Sequence, residues 1–84
     1  MTKWFVYIVR CRDSSLYTGI TNDLEKRIAR HNSGVGARYT RWRRPVKLAW
    51  KRGVNSESQA RKLEAKIKSL TRDKKLDLIK KRAL

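Results

Sequence analysis

The stretch that decides the fold runs from Trp4 to His31 and reads WFVYIVRCRDSSLYTGITNDLEKRIARH. It begins with six consecutive apolar residues, which are too few for a helix and are rich in β-branched and aromatic types. Such a run predicts a strand that is covered on both faces. After a polar loop, a second short run from Leu16 to Ile20 predicts the partner strand of a hairpin.

A helix is expected directly after the hairpin. Asn22 is predicted to cap it, with Glu25 three residues later as the reciprocal partner of a capping box. The stripe that faces the sheet carries a guanidinium and an imidazole, and such groups are costly to bury unless they meet a partner or a ligand. This is the first indication of a site, although Arg27 can also extend to water and His31 is favoured at a helix C-terminus in any case. Helical geometry places four side chains within about 100° of one another, namely Leu24, Arg27, Ile28 and His31.

The two tyrosines of the hairpin, Tyr7 and Tyr17, share a face only if the residue numbers of each opposed pair sum to an even value. A three-residue loop at 12–14 gives this register and pairs Tyr7 with Gly19. Both hydroxyls would then lie near a glycine, which has no side chain to fill the space between them. The alternative is that the tyrosines are present only because they pack well in strands.

Composition restricts the classes of partner. The 84 residues are predicted to form one domain, and 23 Lys and Arg against 7 Asp and Glu give a net charge of +16. This excess predicts a polyanionic partner, and nucleic acid is favoured over a membrane because no segment approaches the ~20 apolar residues of a spanning helix. The apolar run stops at Arg10, before a signal peptide is formed. Because Cys11 is the only cysteine, no disulfide is expected and a cytoplasmic location is predicted.

A basic segment follows His31. Gly34 and Gly36 predict a helix C-cap and a flexible loop. Arginines then alternate with aromatic residues, a pattern that predicts contacts with a phosphate backbone and a stacked base. A run of charges can also be a solvated surface with no ligand. The predicted nucleic-acid-binding residues are Arg38, Tyr39, Arg41, Trp42, Arg43 and Arg44.

The second half of the chain predicts a strand over 46–50 and two helices. Ser56 and Gln59 form a capping box before a helix with apolar positions at 60, 63, 67 and 70, and a shorter helix is expected around 76–79. Glu64 lies only about 40° from Ala60, at the edge of the apolar stripe. It is either half of an i,i+4 ion pair with Lys68 or a hard oxygen ligand for a divalent cation such as Mg²⁺, and the spacing alone allows both.

Together these residues resemble the GIY-YIG nuclease domain, and they resemble its small stand-alone bacterial members most. The first motif is present as Phe5-Val6-Tyr7 and the second as Tyr17-Thr18-Gly19. Arg27 and His31 follow on the next helix and Glu64 on a later one. The resemblance covers nearly the whole chain. It implies an α/β (α+β) fold in which helices flank a three-stranded antiparallel sheet in the order β-β-α-β-α-α.

The resemblance also implies hydrolysis of phosphodiester bonds with one Mg²⁺ or Mn²⁺ ion. Tyr7 or Tyr17 would position or deprotonate the attacking water with help from His31, Arg27 would hold the scissile phosphate, and Glu64 would bind the metal. Two departures from the family pattern put activity in question. Phe5 replaces a glycine of the first motif, and no asparagine follows the glutamate.

The function expected from the sequence is therefore a divalent-metal-dependent endonuclease that acts on DNA and selects its substrate by shape, or through a protein partner. The alternative, which needs only the charge, is a basic DNA- or RNA-binding protein that keeps the nuclease fold without catalysis. Membrane-surface binding through the lysine-rich C-terminal segment is a third interpretation.

Overall fold

The computed structural model describes the backbone of residues 3–83 and the side chains of residues 3–81. The elements are β1 (Trp4–Arg10), β2 (Leu16–Thr21), α1 (Leu24–Ser33), α2 (Arg38–Arg41), β3 (Lys47–Val54), α3 (Glu57–Lys68) and α4 (Arg72–Ala83). The α+β class and the order β-β-α-β-α-α are confirmed, with one addition. The single turn α2 lies in the segment that was expected to be a flexible loop.

The sheet is antiparallel with the order β2-β1-β3, so the first strand of the chain is the central one. Its middle residues, Val6 to Val9, are all fully buried. A central strand with neighbours on both sides and helices on both faces needs apolar side chains at successive positions. The prediction of a strand covered on both faces is therefore confirmed.

The hairpin has the predicted register. Tyr7 pairs with Gly19 and Val9 pairs with Tyr17, so both tyrosines lie on the same face of the sheet. The backbone N–H of Cys11 donates to the carbonyl of Ser15 at 2.9 Å and closes a three-residue loop. The last loop residue, Ser14, has a φ of 69°, the left-handed conformation that three-residue hairpin loops require.

Each face of the sheet is covered by a different part of the chain. On one face α3 packs against β1 and β2, and the core there consists of Val6, Ile8, Trp50, Ala60 and Ile67. On the other face Leu24 and Ile28 of α1 pack against a second buried cluster, which consists of Tyr7, Val9, Cys11 and Val46. Alternation along β1 thus separates an apolar core from the face that carries the tyrosines.

Three local predictions were wrong in detail. The N-cap of α1 is Asp23 and not Asn22, because the Asp23 carboxylate accepts the N–H of Lys26 at 3.2 Å. Glu25 is then one position too early to complete a capping box. The third strand extends beyond the predicted 46–50, because it pairs with β1 as far as Val54.

The second capping box is present in a shifted form. Ser56 accepts the N–H of Gln59 at 3.2 Å as predicted, but the Gln59 side chain accepts from the N–H of Asn55 and not from that of Ser56. The predicted i,i+4 ion pair between Glu64 and Lys68 on α3 is formed, and the same helix has a second one between Glu57 and Arg61. No helix among the described residues has the length and hydropathy needed to cross a membrane.

Replacement of Gly19 by alanine tests the register. A Cβ at this position would lie 2.5 Å from the hydroxyl oxygen of Tyr7, whose ring is fully buried. We expect Gly19→Ala to lower the free energy of unfolding by roughly 1–3 kcal/mol, because an overpacked site must move its neighbours. Urea denaturation measures the loss. The matched control is Gly53→Ala at an exposed position of β3, for which we expect no loss; equal losses in the two variants would contradict the assigned packing.

Candidate active site

The four predicted catalytic residues form one cluster between α1 and the sheet. The Nε–H of Arg27 donates to the hydroxyl oxygen of Tyr7 at 3.2 Å, and that hydroxyl lies 2.8 Å from Nε2 of His31. The ring of Tyr17 meets the His31 ring edge-on, with 5.3 Å between their centroids. The inward stripe of α1 and the even register of the hairpin therefore bring Tyr7, Tyr17, Arg27 and His31 together.

Thr40 determines which nitrogen of His31 carries the hydrogen. Its hydroxyl lies 2.8 Å from Nδ1 of His31 and donates to the carbonyl of Ala37 at 3.2 Å. A hydroxyl has one hydrogen to donate, so its oxygen accepts from Nδ1–H. Nε2 is then the unprotonated nitrogen and accepts the hydroxyl hydrogen of Tyr7. Each of these buried groups thereby has a partner.

The environment sets the charge of each member of the cluster. Burial has the largest effect on the pKa of Tyr7 and raises it. Arg27 lowers this pKa, and Tyr17 and Glu64 add smaller upward contributions. The net shift is upward, so the phenol stays protonated at neutral pH. Burial, together with the positive charge of Arg27, lowers the pKa of His31 to about 4 and keeps the imidazole neutral. Burial alone would lower the pKa of Arg27, but the two phenols outweigh it and the net shift is upward. The site at pH 7 is a permanent cation beside neutral hydrogen-bonding groups.

Access to the cluster is from the side of Arg27 and Tyr17. Tyr7 and His31 are fully buried, whereas Arg27 and Tyr17 are half-buried. Arg27 lines an open groove together with Trp4, Thr21, Asp23, Lys26 and Arg30. A phosphate in this groove can reach the guanidinium directly, and Tyr17 is the phenol that remains accessible to water. Tyr7 and His31 lie behind them.

Glu64 is placed on α3 with its side chain 19% exposed and pairs with Nζ of Lys68 at 3.2 Å. The predicted ion pair is thus present, and the charge of Glu64 also contributes to the raised pKa of Tyr7. The described residues contain no group of three or more His, Cys, Asp or Glu side chains that could hold a metal ion. A site with a single carboxylate fits Mg²⁺ or Mn²⁺, which keep most of their water, and does not fit Zn²⁺.

The predicted nucleic-acid-binding residues do not form one uniform surface. Arg38, Arg41 and Trp42 are exposed. Tyr39 is also exposed, at 38%, but its ring stacks on Tyr17 with 5.7 Å between the ring centroids and so forms part of the wall of the candidate site.

The last two arginines of the predicted set are engaged within the fold. The guanidinium of Arg43 lies 4.1 Å from the centroid of the Tyr39 ring, and its Nε donates to the carboxylate of Asp13 at 3.0 Å. Arg44 donates to the carbonyls of Arg41 and Asn32. The charge of Arg43 is therefore paired, whereas the acceptors that the structure describes for Arg44 are both neutral carbonyls.

Two residues that shape the site were not predicted from the sequence to do so. Thr40 is fully buried against His31, although it lies in the segment that was predicted to be a flexible loop. A Cβ on Gly36 would lie 2.7 Å from the backbone of His31 and 2.8 Å from its Nδ1, so this glycine allows the chain to pass close to the ring. Neither residue belongs to a periodic pattern, and only their position after the histidine could have drawn attention to them.

The lowered pKa of His31 makes folding stability depend on pH. Below the unfolded value near 6.5 the unfolded chain binds a proton that the folded chain excludes, so stability falls as the pH falls from 7 towards 4. We expect the free energy of unfolding to decrease by about 2 kcal/mol between pH 7 and pH 5, as measured by urea denaturation. His31 is the only histidine, so His31→Gln should flatten this dependence even if the variant is less stable at pH 7. An unchanged slope would contradict the assignment.

Comparison with known proteins agrees with this geometry. A model of the GIY-YIG catalytic domain matches residues 3–77. UPF0213 proteins of Staphylococcus saprophyticus and Staphylococcus haemolyticus are 52% and 50% identical to this chain, over 94% and 98% of its length and 96% and 100% of theirs.

Two solved solution structures are similar to the fold described above. The UPF0213 protein BH0048 from Bacillus halodurans is 43% identical, with a TM-score of 0.60 over 92% of this chain and 82% of that one. The protein EF2693 from E. faecalis is 39% identical, with a TM-score of 0.65 over 99% of this chain and 92% of that one. With the cluster of Tyr7, Tyr17, Arg27 and His31 assembled between hairpin and helix, the chain belongs to the GIY-YIG catalytic domain family.

Proposed function

We propose that the protein is a divalent-metal-dependent endonuclease that hydrolyses phosphodiester bonds in DNA. The observation that carries this proposal is the permanent cation of Arg27, fixed by a buried phenol at the edge of an open groove. A guanidinium held in this way is organised for a phosphate before the substrate binds, and it stabilises the charge that develops in the transition state.

The exposure of the two tyrosines suggests different roles for them. Tyr17 is half-buried and accessible, so we assign to it the contact with the attacking water. Tyr7 is fully buried and protonated; it orients Arg27 through its oxygen and donates its hydrogen to His31. His31 is a neutral acceptor that holds Tyr7 in this orientation, and Thr40 keeps His31 in the matching tautomer. In this arrangement Tyr7 and His31 are positioning residues.

Glu64 is the residue that would hold one Mg²⁺ or Mn²⁺ ion, together with water and the substrate. When bound, such an ion stabilises negative charge on the oxygens of a phosphodiester as it is cleaved. The i,i+4 pair with Lys68 is exposed on the lysine side, and exposed pairs of this kind contribute only about 0.3–0.5 kcal/mol. Lys68 can therefore give way to a divalent cation at little cost.

Surface charge supports nucleic acid as the substrate. The net charge of +16 is large for 84 residues and favours binding to phosphates. Among the described residues, the exposed cations Arg38 and Arg41 and the exposed ring of Trp42 lie next to the site wall formed by Tyr39. We also propose that the protein acts as one domain and that its selectivity is for the shape of DNA or comes from a partner. The proposed location is the cytoplasm, because a free, buried Cys11 fits a reducing compartment.

A non-catalytic nucleic-acid-binding protein is the second candidate, and one observation favours it. Phe5 faces the same side of β1 as Tyr7 and stands where the family motif has a glycine. Phe5 is half-buried and Tyr7 is fully buried, so neither position offers the open approach to Tyr7 that a glycine in the motif would allow. This candidate predicts binding that is sensitive to salt and is not followed by cleavage.

Paired variants of α3 and α1 test the proposal. Plain, nicked and branched DNA are incubated with the protein and Mg²⁺ or Mn²⁺, and the cleavage rate is measured on gels. We expect Glu64→Gln and Arg27→Ala each to lower the rate by about 100-fold or more, because each removes charge stabilisation at the reacting phosphate. The matched control is Glu57→Gln, which removes the other i,i+4 pair of the same helix and should leave the rate unchanged.

Two outcomes would contradict the proposal. Cleavage that persists at the same rate in Glu64→Gln and Arg27→Ala would come from a contaminant. Tight binding of every DNA without cleavage by the unaltered protein would favour the non-catalytic candidate. Binding measured in EDTA should change little in Glu64→Gln, so a loss of rate in this variant reports on chemistry.

A further inference from the structure

A second basic groove lies at the C-terminal end of α1. It shares no residue with the groove beside Arg27 and is lined by Arg12, Asn32, Arg41, Trp42, Arg44 and Pro45. Three of these residues are arginines and none is acidic. We infer that this groove binds an unpaired nucleotide of the substrate, with its phosphate on the arginines and its base on Trp42. The inference rests on the proposed function in one respect, that the ligand is nucleic acid.

Arg44 is the fixed cation of this groove. Its Nε donates to the carbonyl of Arg41 at 2.9 Å and its Nη1 approaches the carbonyl of Asn32 at 3.4 Å. Carbonyl acceptors hold the guanidinium in place without neutralising its charge. Beneath it lies Gly34, where a Cβ would be 2.9 Å from Nη1, so the absence of a side chain makes the close contact possible.

Arg43, the neighbouring arginine, differs from Arg44 because a carboxylate pairs with its charge. The charge of Arg43 is paired with the Asp13 carboxylate at 3.0 Å, and Ser15 and Arg43 lower the pKa of that carboxyl so that it stays ionised. Arg44 has no such counter-charge in the groove lining. A cation held in place by neutral groups binds a phosphate with little further loss of side-chain entropy.

Trp42 is the most exposed of the large hydrophobic side chains that the structure describes, at 77%. Its ring is approached by the guanidinium of Arg41, which lies 5.8 Å from the ring centroid. An indole with cations beside it is typical of surfaces on which single-stranded nucleic acid stacks. Bases inside a duplex are already stacked on their neighbours, so an unpaired base is the one that can cover this ring.

The geometry of α1 connects the second groove to the candidate active site. Asn32 and Arg27 are five residues apart on the same helix, which corresponds to about 8 Å along its axis. The two positions also differ by about 140° around the helix axis, so a strand that places one phosphate at Arg27 must pass around α1 to enter the groove at Trp42. The substrate class that fits both grooves is a duplex with a single-stranded arm.

Three DNA ligands test this inference with the full chain in EDTA, so that binding is measured without cleavage. The first is a duplex with a short thymidine arm, the second carries the same arm built from abasic linkers, and the third is a blunt duplex with the same number of phosphates. We expect the unaltered protein to bind the thymidine arm roughly tenfold more tightly than the abasic arm. Fluorescence anisotropy of labelled DNA gives the affinities.

The variants separate the base contact from the phosphate contact. Trp42→Ala should remove the preference for thymidine over abasic arms, whereas Trp42→Phe should retain it. Arg44→Gln should weaken binding of both arms and reduce the salt dependence of binding by about one phosphate contact. The control is Leu48→Ala, which alters a different exposed hydrophobic residue, on β3. It should leave the affinity for all three DNA ligands unchanged.

Three results would overturn the inference. The first is an equal loss of affinity for thymidine and abasic arms in Trp42→Ala, and the second is no loss at all. The third is self-association of the unaltered protein that disappears in Trp42→Ala, since the ring would then cover a second copy of the chain. These measurements need no metal and no cleavage. If the protein prefers the thymidine arm but cleaves no DNA, the proposed function is rejected, whereas the assignment of this groove to an unpaired nucleotide still stands.

Discussion

The hydroxyl of Tyr7 is buried within the fold, and a buried hydroxyl must find hydrogen-bond partners. Its two partners both come from α1, since Arg27 donates to the oxygen and His31 accepts the hydrogen. This requirement fixes how α1 docks on the sheet. The hydroxyl of Thr40 on α2 bonds to the other ring nitrogen of His31, which matches the tautomer in which His31 accepts from Tyr7. Much of the chain between residues 23 and 41 is thus arranged around one phenol.

The same hydrogen bonds explain how a small fold holds a charged group in place. Arg27 is half-buried, and a cation in that position is stable because its Nε donates to the hydroxyl of Tyr7 and one side faces an open groove. His31 would oppose it if it were protonated, but burial together with the charge of Arg27 keeps the imidazole neutral. The two groups that sequence analysis placed on one stripe are therefore compatible only because one of them is uncharged. The result is a single positive charge directed at the surface.

The distribution of the other arginines follows the same principle. Arg43 stacks on Tyr39 and pairs with Asp13, and it braces the wall of the candidate site. Arg44 is held by backbone carbonyls and keeps its charge available. Neighbouring residues of one type thus have different roles, and the difference lies in whether the acceptor is a carboxylate or a carbonyl. A basic sequence pattern cannot make this distinction, because it depends on where the loop after β1 meets the segment before β3.

The amino-acid sequence by itself determined every element except α2, the hairpin register, and two shared faces, that of Tyr7 with Tyr17 and that of Arg27 with His31. These features follow from local rules, since strand alternation and helical periodicity fix which side chains share a face. Tertiary structure alone decided that Tyr7 is buried while Tyr17 is accessible, that Thr40 bonds to His31, and that the chain forms a turn of helix at α2 where a flexible loop was expected. Those features depend on contacts between segments distant in the chain or on the burial of particular atoms, and neither is encoded in a local pattern. The N-cap at Asp23 differs by one residue for a related reason, because Thr21 at the end of β2 accepts the N–H of Asp23 and sets where the helix begins.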